Sequence, residues 1–261
     1  MDDQQTIPVW DRIAAFWDDH VREGNDFQVR LIMPATDRLL SEVSGRRVLD
    51  ACCGNGNYAR KLASRGASVI AFDGSSAFIE CAKTRTPSGM KIDYRVIDAT
   101  DETALLTLCD DGPFDAIVCS MAIMDLAVID PLLRAARALL APGGAFVFSV
   151  CHPCFNGSRV RFTAEYANDE RTGCMTQCFG IAMNEYLTPT ADLNEGIVNQ
   201  PEPHPMYHRP MSLLLSACFA AGFVIDALEE PAFSPEGRRG KNAFSWAKRP
   251  QIPPALVVRL R

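Results

Sequence analysis

Positive charge is scarce in this sequence. Its 261 residues carry 26 Lys and Arg against 32 Asp and Glu, which gives a formal net charge of -6. Because that balance offers no global attraction to a phosphate backbone, it favours small-molecule chemistry over nucleic-acid binding. We therefore expect no nucleic acid among the partners of this chain.

Long apolar runs are also absent. The uncharged apolar stretch at residues 211–225 is shorter than a membrane-spanning helix and contains Gly222. The sequence begins MDDQQ, without the basic segment and the apolar core of a secretory signal. The ten cysteines are therefore expected to be reduced thiols in a cytoplasmic protein, not a disulfide framework. We expect no membrane contact, and a monomer and a homodimer both stay open.

The cysteine spacing does not predict a metal site. Two residues separate Cys151 from Cys154, and three separate Cys174 from Cys178. Spacings this uneven, with Pro153 stiffening the first pair, fit ordinary thiols better than the ligands of a structural zinc ion. We expect no bound metal.

Residues 48–73, VLDACCGNGNYARKLASRGASVIAFD, organise the chain. A short apolar run ends at Asp50, a loop of small residues and a run of helix formers follow, and a second apolar run ends at Asp73. Strand, tight turn, helix and strand in this order make a βαβ unit of a parallel sheet. Ligands of such sheets bind outside the carboxyl ends of the strands, where both carboxylates are expected to lie.

The alternation of strand and helix continues along the chain. Further strands are predicted at residues 92–97, 114–119, 145–150, 223–228 and 243–247, with helices between the earlier ones. The pattern predicts an α/β fold with a doubly wound, mostly parallel, seven-stranded Rossmann-like sheet.

Four regions are expected. Residues 1–45 form amphipathic helices, the second kinked at Pro34, which could lie across the strand ends as a lid. Residues 46–150 form the ligand-binding core, and residues 209–261 complete it with a helix and strands. Residues 151–208 show no sustained period and are too long for an ordinary loop, so they are predicted to be a substrate cap inserted after the fifth strand.

The loop of the βαβ unit fits two kinds of ligand. Its sequence GNGNYA matches the dinucleotide pattern G-x-G-x-x-G/A, and Asp73 follows at a distance suited to a ribose contact. Asp50, immediately before the loop, would repel a pyrophosphate but would suit a cationic amine or sulfonium. The carboxylate therefore favours a cationic ligand over NAD.

Several motifs in register resemble one family. VLDACCGNG at residues 48–56 resembles the first motif, V-L-D-x-G-C-G-x-G, of class I S-adenosylmethionine-dependent methyltransferases, with Cys52 at a glycine position. Asp73 matches the acidic residue that ends the second strand, and Asp98 with Ala99 resembles the Asp-Ala after the third. FDAIVC at residues 114–119 and LLAPGG at 139–144 resemble the fourth strand and the L-x-P-G-G turn. The resemblance covers residues 46–150 and implies a small-molecule methyltransferase of uncharacterised subgroup.

The resemblance implies a set of cofactor contacts. Asp50 and the backbone of the glycine loop would hold the methionine part, Asp73 the ribose hydroxyls, and Asp98 the adenine amine. Trp17 and Phe27, from the predicted lid, are expected either to close over the cofactor or to pack in the core. The full set of cofactor-binding candidates is Asp50, Ala51, Cys52, Gly54, Gly56, Asp73, Gly74, Ser75, Asp98, Ala99, Ser120, Met121, Trp17 and Phe27.

Histidine is scarce, so a general base has few candidates. The chain has four histidines, of which His152 follows the fifth strand directly and His208 lies where the predicted cap returns to the sheet. Asp125, a turn past the fourth strand, is the third catalytic candidate, as a base or as an orienting group. His204, between two prolines, is predicted to be a loop residue.

Three alternatives to methyl transfer stay open. The chain could use S-adenosylmethionine for other chemistry on the same fold, or bind it as a non-catalytic regulatory module. A nicotinamide-dependent oxidoreductase is the third alternative, and Asp50 disfavours it.

Overall fold

The computed structural model describes residues 6–157, 159–234 and 245–261. The strands of these residues are β1 (Arg47–Ala51), β2 (Ser68–Asp73), β3 (Ile92–Val96), β4 (Phe114–Ser120), β5 (Leu140–Cys151), β6 (Val160–Asn168), β7 (Met175–Met183), β8 (Thr190–Asn194), β9 (His204–His208), β10 (Ile225–Glu229) and β11 (Ala255–Leu260). The α-helices are α1 (Thr6–Val21), α2 (Met33–Leu40), α3 (Asn57–Ser64), α4 (Ser76–Arg85), α5 (Glu102–Leu106), α6 (Asp130–Leu139) and α7 (Met211–Ala220).

One seven-stranded sheet forms the centre of the molecule. Its strand order is β10–β11–β5–β4–β1–β2–β3. The pairs from β5 to β3 are parallel, and β11 is antiparallel to both of its neighbours. The chain reverses its direction of travel across the sheet between β1 and β4, which is where ligands bind in folds of this kind.

Apolar clusters cover both faces of the sheet. One cluster packs α5, α6 and α7 against the sheet through Leu105, Leu133 and Leu214. The other packs α2, α3 and α4 through Leu39, Leu62 and Ile79. Each fully buried side chain of this size contributes about 2 kcal/mol. The predicted α/β fold with a doubly wound, mostly parallel sheet is confirmed.

The N-terminal segment is helical, as predicted, but its irregularity has another form. Residues Gln28–Ile32 form a π-helical turn, and Pro34 lies in the first turn of α2, which follows directly. A proline is tolerated there because the first N–H groups of an α-helix have no partner within the helix. The wide turn before Pro34 therefore takes the place of the predicted kink within one helix.

The predicted cap is built from two antiparallel hairpins. β6 pairs with β7, and β8 pairs with β9, each as a separate two-stranded sheet. Residues of β6 and β7 are half-buried or exposed, whereas all five residues of β9 are buried. The second hairpin is therefore the one that the rest of the fold covers.

The last strand of the sheet differs from the prediction. The strand expected at residues 243–247 lies partly outside the described residues, and Trp246–Lys248, which overlaps its end, forms a 3-10 turn. The seventh strand of the sheet is instead β11, which lies near the end of the chain and pairs between β5 and β10. Its apolar residues are buried because both edges and both faces of this strand are covered. In the described parts of the chain, no helix is both long and apolar enough to cross a membrane.

Candidate functional site

A cavity of about 540 Å³ lies at the carboxyl ends of the parallel strands. Its walls come from the loops after β1 to β5, from α1 with the turn that follows it, and from the β8–β9 hairpin. A volume of this size is typical of small-molecule sites. The cofactor candidates that line it are Asp50, Cys52, Gly54, Asp73, Gly74, Ser75, Asp98, Ala99, Ser120, Met121, Trp17 and Phe27.

The two remaining cofactor candidates are not among the lining residues. Ala51 is the fully buried last residue of β1. A Cβ on Gly56 would lie 2.6 Å from the Tyr94 hydroxyl and 2.9 Å from the Ala82 Cβ, at a φ of +73°. Gly56 therefore allows α3 to start close to its neighbours, which is a packing role.

Asp50 is a buried carboxylate with spare hydrogen-bonding capacity. Its residue is 1% exposed, and its Oδ2 has no hydrogen-bond partner within the described residues. Burial, followed by repulsion from Asp73, raises the pKa of Asp50 to about 8, and the Ala59 N–H at the start of α3 acts in the opposite direction. An orphaned acceptor in a cavity wall is the feature expected where a cationic ligand group binds.

Asp73 fastens the glycine loop to the second strand. The Gly54 N–H donates to its Oδ2 at 2.8 Å and the Ser75 N–H to its Oδ1 at 2.9 Å. Burial raises the pKa of Asp73 to about 6, because desolvation outweighs these two bonds. A carboxylate held in this way keeps a lone pair on each oxygen for a ligand diol.

The loop has left-handed backbone at two cavity positions. Gly54 has a φ of +53°, with open space where a side chain would lie, so a ligand can approach the backbone there. Cys52 has a φ of +55°, although it is not glycine. The glycine position of the motif therefore has the backbone that favours glycine, and Cys52 adopts it with strain of about 1 kcal/mol.

The walls beyond Asp73 are fixed by short hydrogen bonds. Asp98 Oδ1 accepts from the N–H and the hydroxyl of Thr100, both at 2.8 Å. The Met121 N–H donates to the hydroxyl and to the carbonyl of Ser149, both at 3.0 Å. These bonds hold the ends of β3 and β4 on the same side as Asp50 and Asp73.

Helix α1 covers the cavity and is tied to the core on one side. Asp11 accepts from the Ser75 hydroxyl at 2.6 Å and from the Ala77 N–H at 3.1 Å. Asp18 pairs with Arg85, with 2.9 Å between Arg85 Nη2 and Asp18 Oδ2, and accepts from Asn55 in the glycine loop at 3.0 Å.

The same helix is tied to the cap on its other side. Arg12 pairs with Glu202 at 2.7 Å, and Trp17 Nε1 donates to Gln200 Oε1 at 3.0 Å. α1 thus bridges the sheet and the second hairpin over the cavity. Both Trp17 and Phe27 line the cavity, and Phe27 also contacts the ring of Phe233.

Asp125 lies close to His204, a histidine that was not among the catalytic candidates from the sequence. Asp125 ends the 3-10 turn Ile123–Asp125 after β4, and His204 begins β9. His204 Nε2 lies 3.8 Å from Asp125 Oδ1, and both residues line the cavity. Burial raises the pKa of Asp125 well above its usual range and lowers that of His204 to about 4.

Comparison with known proteins identifies the core of the chain. The family model described as "Methyltransferase domain" matches residues 48–144. This is the stretch that carries the glycine loop, Asp50, Asp73 and Asp98. Over residues 48–144 the chain is therefore similar to methyltransferases.

Two curated relatives carry methyltransferase names. The ubiquinone biosynthesis O-methyltransferase of Chromobacterium violaceum is 33% identical over 141 residues, which are 54% of this chain and 56% of that protein. The demethylmenaquinone methyltransferase of Clavibacter sepedonicus is 31% identical over 150 residues, 55% of this chain and 56% of that protein. The chain thus spans little more than half the length of each.

A solved structure covers more of the chain. The S-adenosylmethionine-dependent methyltransferase of Mesorhizobium loti is 26% identical and superposes with a TM-score of 0.63, covering 87% of this chain and 96% of that one. The likeness to class I S-adenosylmethionine-dependent methyltransferases, and the fold that it implies, are confirmed.

The other two catalytic candidates lie outside the lining of the methyltransferase domain's cavity. His152 accepts from the Cys154 N–H at its Nδ1 and bonds Glu230 through its Nε2 at 2.8 Å. His208 bonds the carbonyl of Tyr186 through its Nε2 at 2.7 Å. Both rings fasten loops of the cap, and Asp125 is the catalytic candidate that the fold brings to the cavity.

The ten cysteines are all free thiols. Cys174 and Cys178 are exposed near and on β7, and Cys154 bonds the hydroxyl of Tyr186. Among the residues that the structure describes, no group of three or more His, Cys, Asp or Glu side chains could hold a metal ion.

Proposed function

We propose that this chain transfers a methyl group from S-adenosylmethionine to a small-molecule acceptor and releases S-adenosylhomocysteine. The observation that carries the proposal is the row of carboxylates Asp50, Asp73 and Asp98, which lie at or just past the ends of the adjacent strands β1, β2 and β3 and line one cavity. A ligand with a cationic head, a ribose and an adenine amine needs three hydrogen-bond acceptors in this spatial order.

Each carboxylate has a distinct proposed role. Asp50, with its unpartnered Oδ2, would accept a hydrogen bond from the α-ammonium group of the cofactor. Asp73 would accept the two ribose hydroxyls while Gly54 and Ser75 keep it in place. Asp98 would accept from the adenine amine, with Ala99 beside it in the cavity wall. The residues present therefore fit the cofactor.

The remaining chemistry is positioning. The bound cofactor supplies an electrophilic methyl group on a sulfonium sulfur. The chain's own residues then align the acceptor with that methyl group and exclude water, which removes an entropic barrier. Ser120 and Met121 would line the methyl end, and Asp125 would orient the acceptor or take its proton.

The cover of the cavity supports the proposed division of the chain. We take α1 and the rest of residues 1–45 as a lid, residues 46–150 as the cofactor-binding core, residues 151–208 as the acceptor cap and residues 209–261 as the completion of the core. The bonds of α1 to Ser75 and to Gln200 support a lid that joins the core to the cap. The two curated relatives are named for quinone synthesis, which supports a small-molecule acceptor.

Titration of the purified protein with S-adenosylmethionine tests the proposal. We expect saturable binding and, with a productive acceptor, formation of one S-adenosylhomocysteine for each acceptor methylated. No binding at millimolar cofactor would refute the proposal. Binding with other products would favour different chemistry on the same fold, and retained cofactor without turnover over a broad acceptor panel would favour a regulatory module.

A further inference from the structure

The acceptor end of the cavity holds a pair of groups that the cofactor does not need. The 3-10 turn Ile123–Asp125 brings Asp125 to the wall, and the β8–β9 hairpin brings His204 opposite to it. The following argument rests on the proposed function, because it assigns the acceptor that the methyl group reaches.

The proton of His204 has a defined position. Gln200 Oε1 accepts from Trp17 Nε1 at 3.0 Å and from the Gly196 N–H at 3.2 Å, so its Nε2 must be the amide nitrogen. That nitrogen donates to His204 Nδ1 at 3.0 Å. The neutral ring therefore carries its hydrogen on Nε2, the atom that faces Asp125.

His204 is also held neutral. Its side chain is 4% exposed, and its ring stacks on Trp10 with 4.4 Å between ring centroids. A second ring proton would have to displace the hydrogen bond from Gln200, and burial already lowers the pKa of His204 to about 4. The imidazole is thus a fixed neutral donor that can support a carboxylate but does not neutralise it.

Within the part of the chain that the structure describes, no cation faces Asp125 in the cavity wall, and its buried Oδ1 has no hydrogen-bond partner. The His204 nitrogen at 3.8 Å is beyond hydrogen-bonding distance. Within the described residues, the cavity lining contains the carboxylates Asp50, Asp73, Asp98, Asp125 and Glu195 and contains neither Lys nor Arg. The first three have proposed cofactor roles, so Asp125 is the buried carboxylate left for the acceptor.

A cation of the chain holds the turn in place from behind. Arg209 donates to the carbonyls of Ile123, Leu126 and Ala127 at 3.3, 2.5 and 2.7 Å. Three carbonyls held by one guanidinium fix the backbone on both sides of Asp125. A rigid, buried acceptor of this kind selects for the group that fills it.

We infer that the acceptor is an amine, bound with its nitrogen at the Asp125 carboxylate, with the neutral His204 opposite that carboxylate in the cavity wall. Because burial raises the pKa of Asp125, an entering ammonium group first displaces a proton from that carboxyl to solvent. The ammonium then passes one of its own protons to the Asp125 carboxylate and exposes a lone pair. That pair forms the N–CH₃ bond as the S–CH₃ bond breaks, and the electrons of the broken bond stay on sulfur. The methylated ammonium product remains a cation beside the carboxylates, whereas a phenolate or a carboxylate substrate would place a negative charge among them.

Three probes of matched shape test the inference on protein saturated with S-adenosylhomocysteine. They are 2-phenylethylamine, 2-phenylethanol and 3-phenylpropionate, titrated by calorimetry. We expect the amine to bind at least about tenfold more tightly than the alcohol, which is about 1.4 kcal/mol, and the carboxylate to bind weakest. Equal or tighter binding of the alcohol or the carboxylate, or no binding of the amine at millimolar concentration, would overturn the inference.

Two variants test whether the preference for the amine depends on Asp125. Asp125→Asn keeps the shape and removes the charge, so the preference for the amine should fall to about twofold or less. Asp130→Asn removes the same charge from an exposed site in the first turn of α6 and should keep the preference. If the preference survives Asp125→Asn while that variant still binds S-adenosylmethionine, the assignment to Asp125 is wrong.

Turnover separates this inference from the proposed function. Methyl-labelled S-adenosylmethionine is supplied with paired panels of aryl amines, aralkyl amines and phenols. Label on nitrogen supports the inference, and label on phenol oxygen alone overturns it while methyl transfer itself stands. A protein that does not bind S-adenosylmethionine overturns the proposed function before the panels are reached.

Discussion

Binding of S-adenosylmethionine should release a proton, and Asp50 should be its source. The pKa of Asp50 is about 8 in the ligand-free protein because burial and Asp73 both disfavour its charge. About nine-tenths of the molecules then carry a proton on Asp50 at pH 7. The α-ammonium group of the cofactor needs the ionised carboxylate, so binding should displace that proton.

The magnitude follows from the two carboxylates at the donor site. Asp50 should contribute about 0.9 proton at pH 7, and Asp73, with a pKa of about 6, about 0.1. The apparent dissociation constant should fall about tenfold between pH 6 and pH 7 through ionisation of Asp50, and about twofold more through ionisation of Asp73. Above about pH 8 the affinity should fall again, because Asp50 is already ionised and the α-amino group of the ligand loses the proton that makes it a cation.

Asp50→Asn removes the titrating group and keeps its shape. Proton release at pH 7 should fall to about 0.1, and the affinity should become nearly independent of pH between 6.5 and 8. At pH 8 the variant should bind about 30-fold more weakly or worse, because a buried charge pair with the ligand is lost. At pH 7 the loss of affinity should be smaller, because the wild type must first remove the proton from Asp50.

Calorimetry in buffers of different ionisation enthalpy measures the proton directly. Asp130→Asn, outside the cavity, should behave as the wild type. Release of less than about 0.3 proton by the wild type at pH 7, or equal release by Asp50→Asn, would refute the reasoning about this carboxylate.

The raised pKa of Asp50 also predicts how stability depends on pH, and this dependence is opposite in sign to that of cofactor affinity. Between pH 4 and pH 8 the folded, ligand-free protein holds a proton on Asp50 that the unfolded chain has lost. The free energy of unfolding should therefore fall as pH rises through this range. Asp50→Asn should be more stable than the wild type at pH 7.5 without ligand, as a denaturant titration would show, although it binds the cofactor worse.

Substitutions at three further positions test other parts of the cavity. Cys52→Gly should be about 1 kcal/mol more stable than Cys52→Ala by denaturant unfolding, because both remove the thiol but only glycine relaxes the φ of +55°; equal stabilities would contradict the strain. Asp73→Ala should lower stability by about 2 kcal/mol, since two backbone N–H groups lose their acceptor, and should abolish cofactor binding at micromolar concentration; unchanged affinity would mean that Asp73 is not the ribose acceptor. Gly196→Ala would place a Cβ 2.7 Å from Trp17, so the KM of the acceptor should rise at least about fivefold while cofactor affinity changes less than twofold. An unchanged KM would contradict the proposal that Gly196 lies in the wall of the acceptor site.

The donor side of the cavity could be predicted because its geometry follows from short stretches of chain. A strand that ends on a carboxylate, followed by small residues and helix formers, places Asp50 and the loop at one sheet edge whatever the rest of the chain does. At Cys52, where the family motif has glycine, the structure shows left-handed backbone. The parallel pairing of β2 with β1 and β3 then brings the three carboxylates into line.

Other features could not be predicted from local patterns. β11 is a short apolar run after a proline-rich segment, and only its pairing with β5 and β10 makes it a strand of the sheet. His204 lies between two prolines and looked like a loop residue, but the ring of Trp10 and the amide of Gln200 bury it. His152 and His208 follow strand ends, yet the hydrogen bonds of the cap direct them away from the cavity lining.

The two sides of the cavity differ in the reach of the contacts that build them, and this difference explains what the sequence reveals. The bonds that set the donor side join residues 2 and 19 positions apart, as from Ser75 and Gly54 to Asp73. Those that set the acceptor side join residues 183 positions apart between Trp17 and Gln200, and 83 apart between Arg209 and Leu126. Contacts of long reach leave no periodic signal in the sequence. Substitutions in α1 or in the β8–β9 hairpin can therefore change the acceptor while the donor motif stays intact.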